Sequence, residues 1–459
     1  MAKLRNDFLS YMRITKILLS ILLTMTHATL SAQDAQDVNL AAEETRSERS
    51  QITTTELQAT NLEVREALKQ LDIPFYEGNS VTLLPSGVEK FEDMFKAIRQ
   101  ARNYIHLDYF NFRNDSIGWA LFGLLGQKAQ EGVQVRILCD DFGNRSNDHP
   151  LNRNHLDSLR SMGLQIKIFD PMVCPWVNHF YHRDHRKIVV IDGDIAYSGG
   201  MNVADYYLHG KPEIGEWHDM HMRLEGPVVK RYEEVFEESW EKEAGEHLND
   251  YEFAGSGHVV SDFYYDLRPD SSADVHQKQI AVVHRKPGKR SKDMRLAYVA
   301  AIDAAKHHIQ IVNPYPTGVY SIRSALYRAL QRGVKVEFMV SAKSDVPITP
   351  DVVGIQMRRL MNRGCDVLYY ETGFHHSKYM VVDDQLCTVG SANLDARSML
   401  FDYEINSFIF SPETSHQLQE IFEHDKKECT LLTPEGFKKR FNFGHRLIGR
   451  IFGVVKGFF

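Results

Sequence analysis

Two stretches of this chain read His-x-Lys, four residues, then Asp: His185-Arg-Lys187-Ile-Val-Val-Ile-Asp192 and His376-Ser-Lys378-Tyr-Met-Val-Val-Asp383. In an extended strand side chains repeat every two residues, so each imidazole and its ammonium project to one side. Asparagine follows each histidine by 17 residues, as Asn202 in Ser198-Gly-Gly-Met-Asn202 and Asn393 in Gly390-Ser-Ala-Asn393. Small residues such as Gly200 and Ser391 let a phosphate come close to the backbone, and amide and hydroxyl groups offer it neutral donors. A carboxylate follows each block: Asp219 in Trp217-His-Asp-Met-His and Glu404 in Asp402-Tyr-Glu-Ile-Asn. A carboxylate held on Nδ1 of a histidine fixes its tautomer and basicity. Asp192 and Asp383 fall at the turn closing each strand and are expected to fix backbone geometry without moving protons.

Two histidines and two lysines around one pocket suit phosphodiester exchange. One neutral imidazole attacks phosphorus and forms a covalent phosphohistidine. The other, protonated, donates to the leaving oxygen and then takes a proton from the incoming acceptor. The ammonium groups and amides stabilise the charge that builds on the phosphoryl oxygens. This chemistry needs no metal and no cofactor, and neither is expected. His182, His218, His221 and His375 form no H-E-x-x-H or Cys/His cluster and are read as supporting or surface residues. A lone His-x-Lys-x-x-x-x-Asp arises by chance in roughly one chain in fifteen of this length, and an isolated histidine is more often a satisfied core residue. Two copies with matched asparagines are a far more specific signal.

The elements that must position these residues form an internal repeat. The first copy runs through helical stretches at 91–100, up to Gln130 and at 156–162, alternating with strand-like runs at 101–108, 131–138 and 163–169. The second has helices at 294–305, up to Gln331 and at 358–362, with strands at 308–312, 332–339 and 364–370. Gly132-Val-x-Val matches Gly333-Val-x-Val, and Gly163 matches Gly364. The alternation predicts an α/β fold around a largely parallel sheet, in two similar units sharing one site.

The bulk numbers fit two core-forming units: 459 residues, 43% apolar and 25% charged. A net charge of −7 argues against a dedicated nucleic-acid binder, and no nucleic-acid partner is expected. Five scattered cysteines, including Cys174, signal neither zinc nor a disulfide framework. Lys3, Arg5, Arg13 and Lys16 precede an apolar run from Ile17 to Met25 and then small residues, the order of an export signal; a retained amphipathic anchor is the other reading. The C-terminal stretch interleaves basic Lys438, Lys439, Arg440, Arg446, Arg450 and Lys456 with Phe443, Leu447, Ile448 and Phe452. It reads either as a segment lying on an anionic membrane or as a terminal helix packed on the domain.

The double motif, with Asn103-Tyr-Ile-His-Leu-Asp-Tyr-Phe110, Glu216-Trp-His-Asp-Met-His-Met-Arg-Leu-Glu-Gly-Pro227 and Gly390-Ser-Ala-Asn-Leu-Asp-Ala-Arg-Ser398, resembles the phospholipase D superfamily, within it the bacterial cardiolipin synthases. The resemblance covers roughly residues 75–429. It implies two phospholipase D-like α/β sandwich domains in a pseudo-two-fold pair with one active site between them. It implies transfer of a phosphatidyl group between two phosphatidylglycerol molecules, giving cardiolipin and glycerol. His185 would be the nucleophile; Glu404, 28 residues after His376, would serve that histidine, and Asp219 would be the counterpart for His185. Two departures stand out: a short signal-like run replaces two membrane-spanning helices, and Asp402 stands where Asn is common. Water as acceptor, making a hydrolase, and a nucleic-acid phosphodiesterase remain the alternatives. The protein is expected at the membrane of the cell envelope, exported or else on the cytoplasmic face. The expected segments are a signal-like 1–32, a polar tether and helix 33–72, domains 73–248 and 286–430, a connector 249–285 and a basic amphipathic tail 431–459.

Overall fold

A computed structural model describes residues 54–173, 180–248, 277–288 and 290–453. The signal-like segment, most of the tether, Cys174, most of the connector and the last six residues lie outside the described residues. Residues 51–459 cluster as one compact unit.

The first half supplies strands β1 (Phe75–Leu84), β2 (Tyr104–Tyr109), β3 (Gln134–Asp140), β4 (Gln165–Phe169), β5 (Lys187–Ile191), β6 (Ile195–Gly199), β7 (Glu216–His218) and β8 (His221–Glu225). The second supplies β9 (Lys278–Arg285), β10 (His308–Val312), β11 (Lys335–Ser341), β12 (Asp366–Tyr370), β13 (Gly373–His375), β14 (Tyr379–Val382), β15 (Leu386–Gly390), β16 (Glu404–Phe410) and β17 (Cys429–Leu431). Fifteen of them make one sheet in the order β17-β12-β11-β10-β14-β15-β16-β9-β1-β8-β6-β5-β2-β3-β4. The order is nearly a palindrome about the β9–β1 contact, so the repeat is folded as two halves of a single sheet.

The fold is α/β as expected, but the sheet is mixed, not largely parallel. Only β2-β3-β4 and β10-β11-β12 run parallel. Each motif strand instead turns back on itself: β5 pairs antiparallel with β6 through a tight turn at Asp192-Gly193, and β14 pairs with β15 after Asp383. Such hairpins need no crossover helix, so they reverse direction inside the sheet. The connector expected over 249–285 is also too long. Its end, Lys278–Arg285, is β9, paired with β16 along seven residues and at the centre of the sheet. Its Ile280, Ala281, Val282 and Val283 are buried, and that short apolar run is the strand signal the polar composition upstream obscured.

Strand alternation sorts the core into layers. Val189 and Ile191 join the first half's helices Gly87–Gln100 and Ser116–Gln130, while Ile188 and Val190 point to the opposite face. There they meet the helices Val229–Ala244 and Pro412–Asp425 in a core shared by both halves. Gly163 and Gly364, matched in the repeat, both have φ +91°, which a side chain would strain. Each lies in the turn between a helix and the next strand, β4 in the first half and β12 in the second. The tail is helical at Pro434–Arg440 and Phe443–Phe452, and Phe437 and Phe441 are buried in the second-half core.

Candidate active site

The motif strands bring both histidines to one cavity of about 610 Å³, with Asn202 and Asn393 also in its wall. Two backbone contacts join the halves there. His376 N donates to His218 O at 2.6 Å, continuing the short parallel pairing of β13 with β7. His185 N donates to Tyr403 O at 3.1 Å, beside a bridge between Asp184 and Tyr403. The residue after each accepting carbonyl is a candidate carboxylate: Asp219 follows His218, and Glu404 follows Tyr403.

The carboxylates therefore cross over. His376 Nδ1 donates to Asp219 Oδ2 at 2.7 Å, and His185 Nδ1 donates to Glu404 Oε1 at 2.9 Å. The family offset implies Glu404 for His376 and Asp219 for His185, each within its own half, and the structure exchanges them. Sequence offset does not report this, because the pseudo-two-fold packs the end of each half against the other half's motif. Either half alone would leave its histidine without a carboxylate.

The electrostatics follow from burial. Asp219, Glu404, Lys187 and Lys378 are all inaccessible. Burial, then the Lys378 ammonium, pushes His376 down to about 4. Burial and Lys187 lower His185 as well. Both imidazoles are thus neutral near pH 7 in the free protein, each with Nδ1–H given to its carboxylate. Burial also lowers Lys187 to about 7 and Lys378 to about 8, so both ammonium groups sit near their titration point. Burial alone would raise Asp219 and Glu404. The Lys378 ammonium and His376 outweigh it and hold Asp219 below the usual carboxylate range, and His185 with Lys187 does the same for Glu404. Lys187 Nζ donates to His185 O at 2.6 Å, and Lys378 Nζ lies 2.8 and 3.1 Å from the two ring nitrogens of His376.

The small residues have a use other than the expected one. Ser391 is fully buried, and its hydroxyl donates to Glu404 Oε2 at 2.5 Å, so it steadies that carboxylate and takes no part in the cavity wall. Gly200, at the matching position of the first half, makes room: a Cβ there would sit 2.1 Å from Asp219 Oδ1. The asparagines do face the cavity, and their buried Oδ1 atoms have no hydrogen-bond partner among the described residues. Asp192 and Asp383 lie away from it with φ of 53° and 49°. Asp192 accepts the backbone N–H groups of Arg102, Asn103 and Tyr104; Asp383 accepts those of Lys306, His307 and His308, and the Thr60 hydroxyl at 2.8 Å. Each carboxylate ties a motif strand to the start of its antiparallel neighbour, β2 in the first half and β10 in the second.

Further side chains shape the site. Phe110 packs edge-on to His185 with centroids 5.1 Å apart, whereas Trp217, Tyr315 and Phe374 surround His376 at 5.7, 5.8 and 5.4 Å. Lys90 lies fully buried on the apolar stripe of its helix and donates to Asn202 O at 2.9 Å, holding that loop. A lysine at a core-facing helical position was the available signal. Asp402, the departure from the family pattern, accepts from Arg397 Nε at 2.6 Å, so its extra charge is neutralised in place. Of the four histidines weighed above as metal ligands, His221 and His375 are buried, His218 is half-buried, and exposed His182 donates from Nδ1 to Phe401 O at 2.9 Å.

Comparisons with known proteins place the chain in a family. The family described as "Cardiolipin synthase, PLD-like domain" matches residues 94–240 and 298–426, one segment in each half. The chain is 34% identical over 363 residues to the protein named Probable cardiolipin synthase YwiE of Bacillus subtilis (strain 168), covering 79% of this chain and 69% of that one. It is 32% identical over 370 residues to Cardiolipin synthase of Clostridium perfringens (strain 13 / Type A), covering 80% and 74%. The crystal structure of phosphatidylserine synthase from Haemophilus influenzae Rd KW20 superposes with a TM-score of 0.64 at 14% identity, over 86% of this chain and all of that one, which shows the shared fold. The chain belongs to the phospholipase D-like cardiolipin synthase family.

Proposed function

We propose that this protein is a phosphatidyltransferase of the cardiolipin synthase type, converting two phosphatidylglycerol molecules into cardiolipin and glycerol. The observation that carries the reading is the pair of crossed histidine–carboxylate couples, each with its lysine, around one cavity in a chain of this family. Nε2 of His185 attacks phosphorus, and the bond from phosphorus to the glycerol headgroup oxygen breaks. His376 supplies that oxygen with a proton, and free glycerol leaves. A hydroxyl of the second phosphatidylglycerol then gives its proton to His376 and attacks phosphorus. The bond to His185 breaks and cardiolipin forms. Lys187, Lys378, Asn202 and Asn393 surround the phosphoryl oxygens. The anionic phosphodiester itself favours the protonated imidazole that this acid step needs.

The same site serves water as acceptor, so a hydrolase releasing phosphatidic acid is the alternative. Incubating the full chain with phosphatidylglycerol vesicles in a chelator and identifying the lipids separates the two. Cardiolipin with one glycerol per turnover supports the synthase; phosphatidic acid alone overturns it.

The membrane contact is proposed for the tail helix Phe443–Phe452. Gly449 seats it on the helix Thr349–Met361, whose first residue lines the cavity. Its outer face exposes Phe443 (73%), Leu447 and Ile448 beside Arg450. Apolar side chains flanked by cations suit an anionic lipid surface next to the cavity. No helix among the described residues is long and apolar enough to cross a membrane. Through this face the catalytic unit rests on the membrane of the cell envelope, on the exported side or else on the cytoplasmic face.

A further inference from the structure

Transfer between two phosphatidylglycerol molecules has to hold two phosphates at once. The first is the reacting one, between His185 and His376. The second belongs to the acceptor lipid and lies one glycerol unit from the hydroxyl that attacks. That hydroxyl gives its proton to His376, so the second phosphate falls on the His376 side of the cavity. Water and free glycerol bring no such charge. A cation placed to meet it would separate a lipid acceptor from both.

The cavity wall holds three Arg or Lys side chains among the described residues: Arg113, Lys211 and Arg397. Arg397 is neutralised by Asp402, and buried Arg113 pairs with exposed Asp148. Lys211 is half-buried, and its ammonium meets no carboxylate or other hydrogen-bond acceptor among the described residues. It lies instead over two aromatic faces, 4.9 Å from the centroid of Tyr206 and 5.4 Å from that of Trp217. The Trp217 ring is 5.7 Å from that of His376, so Nζ is within about 11 Å of the imidazole. An acceptor hydroxyl bonded to His376, five extended single bonds to its phosphorus and one charge-assisted hydrogen bond reach roughly 12 Å.

The surroundings favour an anion at Lys211. The Arg113 guanidinium lies over the same Tyr206 ring at 5.2 Å. Burial and that guanidinium lower Lys211, with Asp345 and Glu213 opposing them. Neither carboxylate pairs with the ammonium: Asp345 accepts from the Tyr315 hydroxyl, and Glu213 is exposed. The backbone that carries Lys211 is held in place. Lys211 N donates to Gly215 O at 2.9 Å, Gly215 N returns to Lys211 O at 2.7 Å, and Lys343 Nζ from the second half donates to Ile214 O at 2.8 Å. An ammonium kept half-desolvated on a fixed loop, beside a second cation, gains from an anion that enters the cavity.

We propose, resting on the phosphatidyltransferase assignment, that Lys211 binds the phosphodiester of the acceptor lipid and so selects a phosphatidyl acceptor over water or a neutral alcohol. Lys211 is then a specificity-determining residue. The reacting phosphate belongs to Lys187, Lys378 and the two asparagines, and the acceptor's phosphate to Lys211.

The test gives the full chain one donor and two soluble acceptors, at low ionic strength. The donor is a phosphatidyl ester of p-nitrophenol in detergent micelles, from which nitrophenolate leaves as phosphorus passes to His185. The acceptors are glycerol and glycerophosphomethanol, which has the same free diol and adds a phosphodiester. With either, one hydroxyl gives its proton to His376 and takes the phosphatidyl group, and the initial lipid products are quantified. Wild type should prefer glycerophosphomethanol in kcat/KM by about tenfold or more. Lys211→Met should lose about tenfold of that preference through a higher KM for glycerophosphomethanol, and Lys211→Arg should retain it. No preference in wild type, or an equal preference in Lys211→Met, overturns the acceptor subsite and leaves the transferase standing. A nitrophenolate burst that ends in phosphatidic acid, with no transfer to either acceptor, marks a hydrolase and overturns both.

Discussion

Crossed pairing makes a sharp prediction for Asp219→Asn, an isosteric change that removes one charge. The carboxylate lies 2.7 Å from Nδ1 of His376 in a fully buried setting. Unit charges about 4 Å apart at an effective dielectric of about 20 interact by about 4 kcal/mol. At 1.36 kcal/mol per pKa unit that is about three decades in the population of protonated His376. Cardiolipin formation should therefore fall by ~10³-fold in Asp219→Asn, and comparably in Glu404→Gln. Rate alone does not tell which histidine each carboxylate serves. A phosphatidyl ester of p-nitrophenol does, because its leaving group departs without a proton and so bypasses the general acid. Rapid mixing reads the burst of nitrophenolate. Asp219→Asn should track His376→Ala, and Glu404→Gln should track His185→Ala. With His185 as nucleophile, the first pair keeps the burst and the second loses it. If Asp219→Asn instead behaved like His185→Ala, the crossed assignment would be wrong, whichever histidine carries the phosphorus.

Other consequences can be checked directly. Gly200→Ala puts a methyl 2.1 Å from Asp219 Oδ1, and the resulting shift of that carboxylate should cost about 10²-fold in rate while urea unfolding shows a folded protein. Asp383→Ala strands three backbone N–H groups and the Thr60 hydroxyl and should lower unfolding free energy by about 3 kcal/mol; Asp192→Ala, whose N–H partners are nearer solvent, should cost less. Activity per folded molecule should survive in both. Lys187 at about 7 and Lys378 at about 8 set the alkaline side of kcat/KM, which should fall as pH rises through 7 to 8 as the ammonium groups are lost. Their pKa values are lower folded than unfolded, so between about 7 and 10.5 the unfolded chain binds more protons. The contribution of these two lysines to stability should accordingly increase with pH over that window, which is read as a smaller loss of unfolding free energy on alkalinisation in wild type than in a Lys187→Met, Lys378→Met variant.

How much of this was legible in the residues depended on whether the signal was local. The strands at 308–312 and 364–370, the helices up to Gln130 and Gln331, and the motif residues themselves rest on periodicity, turn glycines and spacing, all short-range. The repeat extended that reach by showing that two similar units exist. Assigning a partner to each histidine required knowing how the units meet, and no offset within one unit carries that. Ser391 and Gly200 meet the same limit. Their smallness was legible, but the group they make room for comes from a neighbouring strand 13 residues on in one case and from the loop carrying Asp219 in the other. Lys278–Arg285 is hidden because the segment before it is polar, and its apolar run is only the four residues Ile280-Ala-Val-Val283.

The crossing also explains why the two copies have stayed in one chain. A symmetric pair of complete sites would let each half work alone and tolerate their separation. Here each half holds one histidine, one lysine and the carboxylate for the other's histidine, so separation would leave Asp219 and Glu404 without imidazole partners and open the β1 and β9 edges at the centre of the sheet. Exposed strand edges invite non-native pairing, and buried charges without partners are costly. Once joined, the halves were free to diverge in what surrounds the shared chemistry. His185 has a phenylalanine beside it, whereas His376 has Trp217, Tyr315 and Phe374 around it. A reaction that uses one histidine as nucleophile and the other as acid and base requires such inequality, since identical surroundings would give two imidazoles no reason to take different parts.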